Sequence, residues 1–143
     1  MKRILTFAIL LAGITLASCK KDEVVSSDVA FMAMLSGAEE VPAVTTTASG
    51  MLDGVFNKDT KILTYTITYS GITPTAWHIH KAAKGAIGGV VFNFGSSFSS
   101  PFKSATVALT ADQETDLMAG NYYVNMHSAK SASGEIRGQL LKK

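Results

Sequence analysis

The chain has 143 residues, a formal net charge of +2, 47% hydrophobic residues and a single cysteine. That length holds one domain with a real core. The charge balance includes no basic patch of the kind that follows nucleic acid, and one cysteine excludes an internal disulfide framework.

Met1, Lys2 and Arg3 form a basic start, and Ile4 to Ala17 is an apolar run. The run is shorter than the about 20 apolar residues a transmembrane helix needs, and it fits a secretory signal. Leu16, Ala17, Ser18 and Cys19 resemble a bacterial lipobox, in which the cysteine is acylated and becomes the first residue of the mature protein. The resemblance implies a signal peptide over 1–18, lipidation at Cys19 and a membrane partner reached through the lipid. Lys20, Lys21, Asp22 and Glu23 resemble the export tag of surface lipoproteins of Bacteroidetes-type bacteria, which implies an outer-membrane protein facing outward. Residues 19–28 are polar and aperiodic and read as a flexible tether. With Lys2 and Arg3 removed, basic and acidic residues balance.

From residue 29 onward β signals dominate. Phe31 to Leu35 is a short apolar run, broken by Gly37 and Pro42. Glu39 and Glu40 fall in that break and read as solvated. Ser49 to Phe56 is a strand, and Asn57 to Thr60 a turn. Ile62 to Tyr69 has the cleanest period of two, with Leu63, Tyr65, Ile67 and Tyr69 alternating with threonines. Gly71 to Pro74 turns the chain into Ala76–His80. Lys81 to Gly89 is a loop, Val90 to Phe94 a strand, Gly95 to Pro101 a loop and Ser104 to Leu109 a strand. Thr110 to Gly120 is the one predicted helix, with Thr110 and Gln113 spaced as a capping box and Gly120 as its stop. Tyr122 to Ser128 and Glu135 to Leu141 are the last strands, joined through Ser131–Gly134. Strands at this spacing predict an all-β protein, an antiparallel Greek-key β-sandwich of superoxide-dismutase-like or immunoglobulin-like type, with one short helix.

Alternate residues of a strand point to opposite faces. Trp77 and Ile79 therefore oppose His78 and His80. Tyr122, Val124 and Met126 oppose Tyr123, Asn125 and His127, and Ile136 and Leu140 oppose Glu135, Arg137 and Gln139. The core is predicted to hold Trp77, Ile79, Val124, Met126 and Ile136, with Leu63 and Ile67 facing inward. All three histidines fall on polar faces. The turn at 131–134 brings Glu135 back towards His127, so His78, His80 and His127 are expected to converge outside the sandwich, near Glu135, with Asn125 and Arg137 at the border.

Imidazole suits copper and zinc, and three protein ligands plus water is the usual catalytic zinc pattern. Glu135 then reads as a fourth ligand or as an acceptor that orients an imidazole. The same proximity serves a hydrogen-bonded structural cluster, or a site for an organic ligand. The chain has no cysteine nucleophile in a catalytic setting, no phosphate loop and no recognisable carboxylate pair. The methionines at 32, 34, 51, 118 and 126 read as packing residues, Met126 certainly so by its alternation.

Several separated segments resemble the CHRD domain, first named from chordin. They are Leu35 to Pro42, His78-Ile79-His80, Leu117 to Gly120 with Tyr123 to His127, and Gly134 to Gly138, and the likeness spans about residues 29–141. It implies a β-sandwich and a binding or structural module with an extracellular or envelope partner, without a defined catalytic activity. A weaker likeness is to the copper/zinc superoxide dismutase sandwich, which also carries a His-x-His pair on one strand and a further copper-ligating histidine on a late one. That likeness implies His78, His80 and His127 as metal ligands and redox activity. The chain has no other histidine for a bridging ligand or a second metal, and no intradomain disulfide.

Overall fold

The computed structural model describes residues 26–143; the signal segment, Cys19 and most of the tether lie outside it. The described elements are β1 (Asp28–Ser36), a 3-10 turn (Gly37–Glu39), β2 (Ser49–Asn57), β3 (Ile62–Ser70), β4 (Pro74–Lys81), β5 (Gly89–Asn93), β6 (Phe102–Ala105), α1 (Ala111–Met118), β7 (Tyr122–Ser128), β8 (Ile136–Gln139) and β9 (Leu141–Lys142). The fold is mostly β with one short helix.

The expectation of two facing sheets meets a different hydrogen-bond pattern. All the strands belong to one antiparallel sheet in the order β5-β4-β7-β8-β1-β2-β3-β6, with β9 also on β1. The sheet curls round its own apolar face. β1 is the reason it stays continuous: it pairs with β2 along its length, and with β8 at Ser36–Arg137 and β9 at Met32–Leu141. Aromatic rings fill the gap between the two outer edges. Tyr65 from β3 meets Phe92 and Phe94, and Trp77 from β4 meets Phe102 of β6. Among the described residues no ladder joins β5 to β6.

The predicted core is the observed one. Leu63, Ile67, Trp77, Ile79, Val124, Met126 and Ile136 are all buried, joined by Phe31, Leu52, Phe56 and Leu140. The helix also forms as predicted. The Thr110 hydroxyl accepts from the Gln113 N–H, the Gln113 side chain accepts from the Thr110 N–H, and Gly120 leaves the helix at φ +72.

Two strands differ from expectation. Residues 106–109 lie outside β6, tied by Thr106 N–H to Leu63 O, by Leu63 N–H to Thr106 Oγ1 and by Leu109 N–H to Lys61 O. The last strand breaks at Leu140, whose side chain is buried while β9 turns aside to pair with β1.

The polar faces of β7 and β8 are not open to solvent. Every residue of β8 is buried, as is every residue of β7 except half-buried His127. The β4–β5 loop closes over them. Arg137 Nη2 donates to Ala86 O at 2.7 Å and Gln139 Nε2 to Ala82 O at 3.0 Å.

Candidate metal centre

The register of three strands builds the site. His78 stands opposite Asn125, which stands opposite Arg137. His80 stands opposite Tyr123, and His127 opposite Ala76. Directly opposed residues on one face lie about 4.5–5.5 Å apart at Cβ, so the side chains of β4 and β7 must touch. The small Ala76 leaves His127 room to lean towards its diagonal neighbour.

The three histidines do converge. Each offers one ring nitrogen, and the three atoms lie within 4.8 Å of one another. His78 Nδ1 and His127 Nε2 are 3.3 Å apart. Two ligands on a tetrahedral ion with bonds of about 2.0–2.1 Å are separated by about 3.3 Å, so this pair already has that spacing.

Backbone carbonyls hold two of the rings. His80 Nδ1–H donates to Gly88 O at 3.0 Å, and His127 Nδ1–H donates to Ala132 O at 3.0 Å. A neutral imidazole that donates from Nδ1 keeps its lone pair on Nε2. His127 aims that lone pair at His78. The Nε2 of His80 is buried and has no hydrogen-bond partner among the described residues. Burial lowers the pKa of His78, helped by His127 and His80. Burial also lowers that of His80, with His127 and Arg137 acting the same way and the Gly88 carbonyl opposing. Both rings are thus held towards the neutral form that binds metal.

Tyr123 supports His80. The two rings stack at 4.8 Å between centroids and 8° between planes, and the Arg137 guanidinium sits 3.5 Å from the Tyr123 ring centre. The Tyr123 hydroxyl accepts from Gly88 N–H at 3.3 Å, so the carbonyl-bearing residue that orients His80 is itself fixed.

Glu135 stands outside this group. It precedes β8, whose ladder with β7 ends at Met126–Ile136, and its N–H donates to Met126 O, while Thr46 Oγ1 donates to its Oε1 at 2.7 Å and Ser128 Oγ donates to its Oε2. Those two hydroxyls, Ser128 first, hold its carboxyl below the usual range. The carboxylate follows its nearest donors and points away from the imidazoles. Asn125 and Arg137 do border the site.

The expectation that Glu40 is solvated is overturned. The chain after the 3-10 turn carries it inward to 8% exposure. Asn125 Nδ2 donates to Glu40 Oε2 at 3.4 Å, while Glu40 Oε1 and Asn125 Oδ1 are buried without partners among the described residues. Gly134, at φ +133, closes this pocket, and a Cβ there would stand 2.6 Å from Glu40 Oε1 and 2.7 Å from Asn125 Oδ1. Burial raises the Glu40 pKa from 4.5 to about 7, against the lowering pull of Arg137, Asn125 and the Val41 N–H. Nothing local in the sequence marks Glu40 apart from Glu39, whose carboxylate meets Lys84 at the surface.

Nothing among the curated proteins or the solved structures matches the chain. The model of the CHRD domain matches residues 31–140, which runs from β1 to the end of β8 and takes in all three histidines. The chain belongs to the CHRD domain family.

Proposed function

We propose that this protein is a binding module of the bacterial cell envelope, and that what it binds is a transition-metal ion, copper or zinc, through His78, His80 and His127. The observation that carries the reading is the pair of Nδ1–H bonds to Gly88 O and Ala132 O. Metal-ligating histidines characteristically donate their second ring nitrogen in this way, which sets the tautomer and the ring direction. A structural cluster is the second reading, and the His78–His127 contact favours it, because two imidazoles at 3.3 Å can share one proton without any ion. Redox activity belongs to the copper version alone.

A dismutase-like arrangement is supported by the same residues. His78 and His80 flank core residue Ile79 on one strand, and His127 comes from a late one. With three histidines in the chain, the likeness extends to a single ion.

Metal content decides between the readings. The purified protein should contain about one equivalent of copper or zinc, and His78→Ala should lose it while remaining folded. A folded, metal-free wild type that also fails to take up added metal leaves the structural cluster.

The module reaches the envelope through Cys19, acylated after removal of residues 1–18, with residues 19–28 as its tether and the domain facing outward. Cys19→Ala should release the protein from membranes or leave an unprocessed precursor. Wild-type protein found soluble with an unmodified thiol would end the lipoprotein assignment.

A further inference from the structure

We propose that the ion held by His78, His80 and His127 completes its coordination with a small anion from solvent, entering along the surface trench beside His78. The inference rests on the metal reading above and deepens it by naming the class of ligand.

The first support is charge. Three neutral imidazoles cancel none of the charge of a divalent ion. Among the described residues no carboxylate joins the group of ligand atoms. Glu135 is engaged by Thr46 and Ser128, Glu39 by Lys84 and Asp116 by Lys81. Glu40 faces Asn125 and Gly134. The Arg137 guanidinium, which is cationic, lies 3.5 Å from the centre of the Tyr123 ring that stacks on His80. The site thus offers a metal ion a positive surrounding, and an anion in the remaining position relieves it.

The second support is access. His80 is wedged under Gly88 and Tyr123, but His78 lines an open trench of about 450 Å³ with Thr75, Asn93, Ser96 and Phe98. The trench carries donors as well as space. Asn93 Oδ1 accepts from Gly95 N–H at 2.8 Å, which leaves its amide N–H groups for another partner, and Thr75 and Ser96 line the same trench. A monoanion with an oxygen or nitrogen donor, such as hydrogencarbonate, a short carboxylate or azide, matches this set. A site of three protein ligands with one exchangeable position is the pattern of metal centres that act on a ligand, and structural zinc sites are closed by four protein ligands.

The test uses the full-length protein loaded with Co2+, whose visible absorption reports coordination. Azide, hydrogencarbonate and acetate are titrated separately, with Arg137→Gln as the variant. The expected result is one Co2+ per chain, visible bands that shift saturably with one anion per metal, and, compared at full Co2+ loading, anion affinity about three- to tenfold weaker in Arg137→Gln. Bands that ignore all three anions while Co2+ remains bound would overturn the anion proposal and leave the metal site standing. Failure to bind Co2+, Zn2+ or Cu2+ at all would remove both.

Discussion

Trp77→Ala is expected to lower the free energy of unfolding by about 3–5 kcal/mol, the range for removing a large aromatic side chain from a core. Trp77 is fully buried. Its ring meets Tyr69 and Phe102 from one side of the curled sheet and Phe94 and Phe98 from the other, with centroid distances of 4.8–6.0 Å. Its indole N–H donates to Gly95 O at 3.0 Å. The indole therefore bridges two edges that no ladder joins, and alanine would leave a cavity together with an unpaired carbonyl. The chain has no disulfide to compensate, and domains of this size carry about 5–15 kcal/mol in all. Urea unfolding followed by far-ultraviolet circular dichroism measures the loss. A change below about 1 kcal/mol would show that the aromatic bridge does not hold the sheet closed.

Glu40→Gln is expected to stabilise the protein above pH 7 and to flatten its pH dependence below. The folded-state pKa of Glu40 is about 7 against an ordinary 4.5. Between those values the folded protein keeps the proton that the unfolded chain has lost. The contribution of Glu40 is therefore fully present below pH 4.5 and is lost as pH rises through about 7. At about 1.4 kcal/mol per pH unit the rise from 4.5 to about 7 corresponds to at most about 3.5 kcal/mol, and solvent screening lowers the effect to the order of 2–3 kcal/mol. Glutamine keeps the acceptor for Asn125 Nδ2 and carries no charge to desolvate. Unfolding free energies of wild type and variant across pH 4–8 test this. A wild type whose stability advantage over the variant grows from pH 5 to 8 would mean that Glu40 is ionised and paired instead.

Acid works on the histidines in the opposite sense. The folded pKa values of His78 and His80 lie below 6.5, so the stability these two contribute is present above pH 6.5 and lost as pH falls through their folded values. A bound ion competes with the same protons. Just below pH 6.5 the two groups thus give stability slopes of opposite sign, and Glu40→Gln isolates the histidine part.

Much of the site could be read without coordinates because it depends on strand periodicity. Ile79 faces the core, so His78 and His80 cannot; Val124 and Met126 do the same for His127. The capping box of Thr110 and Gln113 was legible for a similar reason, since it needs only residues three apart. What covers a polar face is a different matter. Residues 82–88 have no period that marks them as a lid, yet they supply Gly88 O to His80 and Ala86 O to Arg137. Glu135 was expected beside His127, but its N–H bonds Met126 O and its carboxylate answers to Thr46, 89 residues away. Glu40 and Asn125 meet across 85 residues.

By itself the sequence determined the strand positions, the inward and outward sets, the helix with its cap, and the common face of His78, His80 and His127. Each follows from backbone geometry within a few residues, where side-chain direction is dictated by φ and ψ. The tertiary structure alone decided that one curled sheet forms in place of two, that the polar face is roofed, that Glu135 turns away and that Glu40 is buried near neutrality. Those outcomes depend on which donors and which low-dielectric surroundings the curled sheet and its loops bring to a side chain from far along the chain, and no local pattern encodes that.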